Sequence, residues 1–240
     1  MHLPDDFSGK EPQIMANLTY ILYISIGIPL VMMLGMLRGK SRRLVLFMII
    51  GVTICLLASE INPITAALVS DDELYITTTI TPITEELLKA LPILFYACTF
   101  SDSRQDVLEI SMAVGIGFAL LENAWILVNF IDSMTIALAL IRGFGSALMH
   151  GVCCLFVGCG ISYVKKRRKL FYTGIFAMLS AAVIYHASYN SLVQSAHPYT
   201  GIMLPVLTYI PILLSAAKSK PSRGPASAGK AGATSKRKSA

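Results

Sequence analysis

Thr81-Pro82-Ile83-Thr84-Glu85-Glu86-Leu87-Leu88-Lys89 sets two adjacent carboxylates and an ammonium inside an apolar stretch, residues 74–100, long enough to cross a bilayer. A charged residue at the centre of a membrane helix costs about 2.5–3.5 kcal/mol on an insertion scale. Such residues seldom persist in lipid without a partner or a task. Other apolar stretches of the chain carry Glu122-Asn123, Arg142, His150, and His186 with Asn190. The sequence therefore reads as a helical membrane protein with a polar centre built inside it.

Composition agrees. The 240 residues are 55% hydrophobic and only 14% charged, with a mean hydropathy of +0.65, the balance of a membrane protein. The net charge of +6 is a property of the tail. Lys218, Lys220, Arg223, Lys230, Lys236, Arg237 and Lys238 put seven basic and no acidic residues into 218–240. Taking those seven from the 20 Lys and Arg leaves 13 basic against 14 acidic residues. The charge gives no reason to invoke nucleic acid, and a basic tail favours anionic lipid headgroups. Cys55, Cys98, Cys153, Cys154 and Cys159 lie in or at the end of apolar stretches without a CxxC pair. They are expected to be buried thiols behaving as small hydrophobes. Asp5, Asp6 and Glu11 outweigh Lys10, so the basic segment that opens a signal peptide is missing.

Seven stretches approach spanning length, at about 17–37, 44–69, 74–100, 107–130, 134–164, 170–195 and 201–217. Loop 38–43 holds Arg38, Lys40, Arg42 and Arg43, and residues 165–169 read Lys-Lys-Arg-Arg-Lys. If every stretch crosses, these loops and the basic tail share one side, and the positive-inside rule makes it cytoplasmic. The acidic Asp71-Asp72-Glu73 falls on the other side. The expected fold is all-α, a polytopic bundle of about seven spans, N-out and C-in, over residues 1–217. Residues 218–240 are expected to form a disordered basic cytoplasmic tail.

Glu85 and Lys89 are four apart and Glu86 and Lys89 three apart, so either carboxylate can meet the ammonium on the helix surface. Neighbouring residues point about 100° apart, so one glutamate can face a cavity while the other holds Lys89. A purely structural ion pair accounts for Lys89 and one glutamate and leaves the second unexplained. Pro82 and Pro92 bracket the motif and can kink the helix. In the fourth stretch, Gly115 and Gly117 permit close helix approach, and Glu122 and Asn123 add a second carboxylate and an amide. Arg142 can neutralise Glu122 or Glu85, or stabilise a developing oxyanion. His150 and His186, with the glutamates, can polarise a water or hold a metal. His186 and Asn190, four apart, share one helix face. Glu60, near Asn62-Pro63, is a further intramembrane carboxylate that can line the cavity. His2 and His197 are expected to be incidental.

Absences narrow the chemistry. No aspartate lies within an apolar stretch, which disfavours an aspartyl mechanism. There is no HExxH, no GxSxG, and no lysine in the seventh stretch before Lys218.

Glu85-Glu86-x-x-Lys89, Phe118-Ala-x-x-Glu122-Asn123, His150 and His186-x-x-x-Asn190, in that order across four helices, resemble the PrsW family of intramembrane proteases. That family is related to the CAAX prenyl endopeptidase and bacteriocin-immunity (Abi) superfamily. The resemblance covers roughly residues 80–192. It implies peptide-bond hydrolysis within the membrane, with the Glu85-Glu86 pair supplying the base that activates water. Glu122, His150, His186 and Asn190 would complete the site, supported by Lys89, Asn123 and Arg142. In the prenyl-endopeptidase branch a histidine stands where this chain has Glu122, which favours the PrsW branch over prenylated substrates. The resemblance leaves open whether a divalent metal such as zinc takes part; Glu85, Glu86, His150 and His186 would be its ligands. It further implies a bacterial plasma-membrane enzyme cutting a single-span membrane protein, in the manner of the first cut in an anti-sigma factor. Two competing readings are a proton-coupled secondary transporter, for which no duplicated half is seen, and a non-catalytic scaffold or immunity protein of the same fold.

Overall fold

The computed structural model describes residues 10–101, 103–165, 171–195 and 198–218. His2, His197, residues 166–169 of the second basic loop, and the tail from 219 lie outside the described residues.

The described chain is helical, with no strand among its described residues. Its helices are α1 (Lys10–Met36), α2 (Gly39–Val69), the short α3 (Glu73–Tyr75), α4 (Thr81–Thr99), α5 (Arg104–Asn129), α6 (Ile136–Lys165), α7 (Phe171–Val193) and α8 (Met203–Lys218). All but α3 coincide with the seven apolar stretches. By length and composition, Asn17–Met36, Gly39–Val69, Arg104–Asn129 and Ile136–Tyr163 are long and apolar enough to cross a membrane. Among the described residues the other three do not reach that mark. Helix α4 carries Glu85, Glu86 and Lys89, α7 dilutes its apolar run with His186, Ser188 and Asn190, and α8 has only 16 residues.

Local chemistry sets the boundaries. The Asp72 carboxylate accepts from the backbone N–H of Leu74 and Tyr75 at 3.0 and 3.2 Å, and Ser103 Oγ accepts from Asp106 N at 3.3 Å. Both are N-caps, which occupy donors that the first turn leaves unpaired. Between α3 and α4, Ile76–Ile80 form a π-helical turn, directly ahead of the buried Pro82.

Helix α5 is central and packs along α2 and α6, with α7 on the far side of α6, while α4 touches α2, α5, α6 and α7. Glycine makes these crossings possible. A methyl group at Gly117 would sit 2.1 Å from the Met48 carbonyl oxygen, and one at Gly51 2.2 Å from that of Val114. The backbones of α2 and α5 therefore meet as bare chain, as small residues allow in membrane helices. The main apolar core gathers Ile93, Tyr96, Val107, Ile110, Val114, Met149, Cys153, Val157 and Tyr189. At one end of the pair, Lys40 pairs with Glu109, and Arg43 with Asp106 at 3.8 Å, tying α2 to α5.

Helix α4 shows the membrane character most directly. Ile83, Leu87, Leu91 and Phe95, four apart, are exposed. Pro82, Glu85, Glu86, Lys89 and Ile93 are buried. Its charges point inward and its apolar stripe outward, the reverse of a water-soluble helix. The chain is an all-α helical membrane bundle. One expectation about cysteine fails: Cys98, close to the end of α4, is exposed, while Cys55, Cys153 and Cys154 are buried.

Candidate active site

The inward face of α4 meets α2, α5, α6 and α7 at a cluster of ionisable side chains. Glu85, Glu86, Lys89, His150 and His186 are each 5% exposed or less. No ion could be held there cheaply alone, and the geometry shows how each is paired.

Lys89 Nζ donates to Glu86 Oε1 at 2.6 Å and to His150 Nδ1 at 2.8 Å, and it lies 4.5 Å from the centre of the Phe118 ring. An ammonium only donates, so His150 Nδ1 accepts and carries no proton. The proton of neutral His150 is therefore on Nε2, which donates to Glu122 Oε2 at 2.8 Å. Ser146 Oγ donates to the same oxygen at 3.0 Å.

Glu86 Oε1 also lies 2.7 Å from His186 Nδ1. A carboxylate only accepts, so His186 Nδ1 is the protonated nitrogen and Nε2 keeps its lone pair. That lone pair is 3.9 Å from Glu85 Oε2, a buried oxygen with no hydrogen-bond partner. The other oxygen of Glu85 accepts from Asn62 Nδ2 at 3.1 Å. The two glutamates thus divide their work. Glu86 Oε1 takes both Lys89 and His186 and leaves Oε2 without a hydrogen-bond partner, while Glu85 is steered by Asn62 and likewise keeps Oε2 unpartnered.

This arrangement fits a divalent cation. Glu85, His150 and His186 offer ligand atoms that all lie within 4.8 Å of one another, and one carboxylate with two imidazoles is a donor set that zinc accepts. Glu85 Oε2 and His186 Nε2 are ready acceptors facing one another. Glu86 behind His186 and Glu122 behind His150 are the carboxylates that orient metal-binding imidazoles elsewhere. His150 would have to release either Lys89 or Glu122 to contribute. Glu86, expected from sequence as a further ligand, is not among these three; its Oε1 is taken by Lys89 and His186.

Several expected site residues stand elsewhere. Asn190 does not reach the cluster through its observed bond; its Nδ2 donates to the Thr77 carbonyl at 3.0 Å, holding α7 to the π-helical turn. Thr77 Oγ1 donates to Gln194 at 3.0 Å and strengthens the same junction. Asn123 Nδ2 donates to the Arg142 carbonyl at 3.4 Å. Arg142 forms no ion pair with Glu122 or Glu85 among the described residues; Glu122 turns to Ser146 and His150 instead. Glu60 is exposed and accepts from the Tyr20 hydroxyl at 3.0 Å, away from the cluster. Asn62, Ser146 and Phe118 act in the site without having been singled out for these roles. A lone Asn or Ser in an apolar span was the available signal for the first two.

No curated protein and no solved structure matches the chain. The model of the PrsW family of intramembrane metalloproteases matches residues 40–216, which span every helix of the cluster. With its two α4 glutamates, two histidines and Glu122 converging in a helical membrane bundle, the chain belongs to the PrsW family of intramembrane proteases.

Proposed function

We propose that this protein is an intramembrane endopeptidase that hydrolyses a peptide bond in or near the membrane segment of a single-span membrane protein, with Glu85 as the base. The observation that carries the reading is the facing pair of Glu85 Oε2, free of any partner, and His186 Nε2, 3.9 Å apart and buried. Two acceptors at that separation suit a water that donates a hydrogen bond to each. Glu85 takes one proton from the water as its oxygen attacks the scissile carbonyl carbon. The tetrahedral intermediate collapses with cleavage of the C–N bond, and the proton held by Glu85 passes to the leaving amine. One water is consumed, and a carboxylate terminus and an amine terminus result.

The other residues prepare that step. Glu86 fixes the His186 tautomer so that Nε2 presents a lone pair. Lys89 holds Glu86 and His150 in place, and its bonds to both keep it from acting as a free donor. Glu122 and Ser146 orient His150. A divalent cation held by Glu85, His150 and His186 would supply Lewis-acid polarisation and easier ionisation of water.

Water has to reach the cluster. At about 1.5 Å per residue, Glu85 lies roughly 16 Å, and His186 about 14 Å, from the helix ends assigned to the outer side. In the N-out, C-in orientation this is mid-membrane to outer half, so access from outside the plasma membrane is the shorter route. Substrates of the anti-sigma-factor kind present a single span to such a site.

The test is cleavage in proteoliposomes against a panel of single-span substrates. Wild type, Glu85→Gln, Glu86→Gln and His186→Ala are compared with and without chelator. Cleavage that collapses in Glu85→Gln supports the reading. Loss on chelation that zinc restores would assign the water-activating role to the metal. Cleavage that persists in folded Glu85→Gln would remove Glu85 from the chemistry. Uptake of a solute driven by a pH gradient, with no cleavage, would favour a carrier.

A further inference from the structure

Beside the cluster, three polar atoms from three helices are buried without a hydrogen-bond partner: Asn123 Oδ1 on α5, Arg142 Nε on α6 and Tyr189 Oη on α7. Tyr189 is 2% exposed. The mechanism above uses none of them.

They belong together. Asn123 donates to the Arg142 carbonyl. The Tyr189 hydroxyl is seated against the bare α-carbon of Gly145, where an added methyl would sit 2.9 Å from it. Tyr189 follows His186 by one turn, Asn123 follows Glu122, and Arg142 precedes Ser146 by one turn. All three are therefore displaced from the cluster toward the end of the bundle where α5 and α7 finish and α6 begins. At that level Gly143 opens onto free space, since a methyl there would meet nothing within 4 Å.

Buried polar groups are nearly always paired, and a group left unpaired is costly. Three on one side of a catalytic cluster call for a ligand that pairs them. The set has two donors, the Arg142 guanidinium and the Tyr189 hydroxyl, and one acceptor, Asn123 Oδ1. A peptide backbone offers the complement: a carbonyl to accept and an N–H to donate. A helical segment has already spent both groups internally, whereas an unwound one has them free.

We propose that Asn123, Arg142 and Tyr189 form a subsite that grips the unwound backbone of the substrate beside the scissile bond. The proposal rests on the protease reading and assigns these three residues to positioning. It also supplies the compensation for opening a substrate helix in lipid, where freed backbone groups must find protein partners.

The experiment uses the full chain in proteoliposomes and a single-span peptide that wild type cleaves. Tyr189→Phe and Arg142→Gln are compared for KM and kcat. Binding of the same peptide is titrated by fluorescence in the Glu85→Gln background, where no cleavage intervenes. Expected for Tyr189→Phe is a KM and Kd about three- to tenfold higher, with kcat little changed, and for Arg142→Gln a larger rise. Tyr189→Phe removes a hydroxyl that has no partner in the free protein, so its melting temperature should not fall, as it would if the hydroxyl were structural. A substrate with an ester in place of the amide next to the scissile bond should bind wild type more weakly. That substitution should cost nothing further in Asn123→Ala. Unchanged KM and Kd in both variants, with Glu85→Gln still inactive, would overturn the subsite and leave the protease reading standing. If wild type cleaves nothing, the protease reading fails, and equal peptide affinities across the variants would overturn the subsite separately.

Discussion

Substituting Gly115 by alanine should uncouple stability from activity in a way the structure quantifies. Gly115 lies on α5 where it crosses α6, and a methyl group there would sit 2.5 Å from the His150 carbonyl oxygen and 2.8 Å from the Gly151 α-carbon. Ordinary contact begins near 3.4 Å, so the α6 backbone must retreat by 0.9 Å, the difference between 3.4 and 2.5 Å. The atoms it meets are backbone, so no side-chain rotation can absorb the displacement. Overpacking of this kind costs about 1–3 kcal/mol. The larger effect falls on function, because the moving residue is His150 itself. Its Nε2 is 2.8 Å from Glu122 on α5 and its Nδ1 2.8 Å from Lys89 on α4, and neither bond survives a shift near 1 Å intact. Misplacement on that scale can reduce turnover on the order of 100-fold. Gly151→Ala is the control. It lies on the same stretch of α6, but its methyl would meet only the flexible end of Met112, at 2.7 and 2.9 Å, which can swing aside. The assay pairs thermal unfolding in detergent with cleavage of a single-span substrate in liposomes. Wild-type turnover in Gly115→Ala, or equal losses in Gly115→Ala and Gly151→Ala, would refute the argument that helix approach at Gly115 sets the position of His150.

Glu86→Gln leaves the buried Lys89 ammonium without its carboxylate and should destabilise the protein by about 3–5 kcal/mol; adding Lys89→Met should restore much of that stability in chemical unfolding while cleavage stays lost. Asn190→Ala frees the Thr77 carbonyl, so the amides of Ile76–Ile80 should exchange with solvent deuterium faster, read by mass spectrometry, with slower turnover as the π-helical turn loosens. Glu60→Gln alters an exposed carboxylate that accepts from the Tyr20 hydroxyl, and cleavage should remain within about twofold of wild type, since surface substitutions usually stay within ±0.5 kcal/mol.

Much of this architecture was legible because membrane helices announce themselves by composition. The seven apolar stretches coincide with the seven long helices, and the spacing put either glutamate within reach of Lys89, with Glu86 making the contact at 2.6 Å. That one glutamate would hold the lysine and the other face inward followed from the 100° between neighbours. What spacing could not supply was the approach between helices. His186 and Asn190 share a face, yet they reach different partners, Glu86 and Thr77, because α4 changes from π to α geometry between those contacts. Arg142 had two nearby glutamates in prospect and pairs with neither, since Ser146 and His150 lie closer to Glu122. Asn62 acts on the site from α2, and no periodicity along its own helix reports that. The PrsW resemblance is carried by the match over residues 40–216. The relation to prenyl endopeptidases and the Abi superfamily stays an expectation from motif order alone.

The π-helical turn at Ile76–Ile80 sets the phase of everything downstream on α4. A turn of this kind amounts to one residue inserted into an α-helix, and one residue is about 100° of rotation. Removing it would advance the sequence by one place along the same cylinder. Glu86 would then occupy the direction now taken by Glu85, Leu87 would face His186 Nδ1, and Ala90 would stand where Lys89 meets His150. The helix would still be apolar outside, and its pair of glutamates would still be there to be read, but it would be mistimed by a single residue. Length, as much as residue identity, is therefore a constraint on this segment: it tolerates exchange of its threonines more readily than it tolerates the gain or loss of one position.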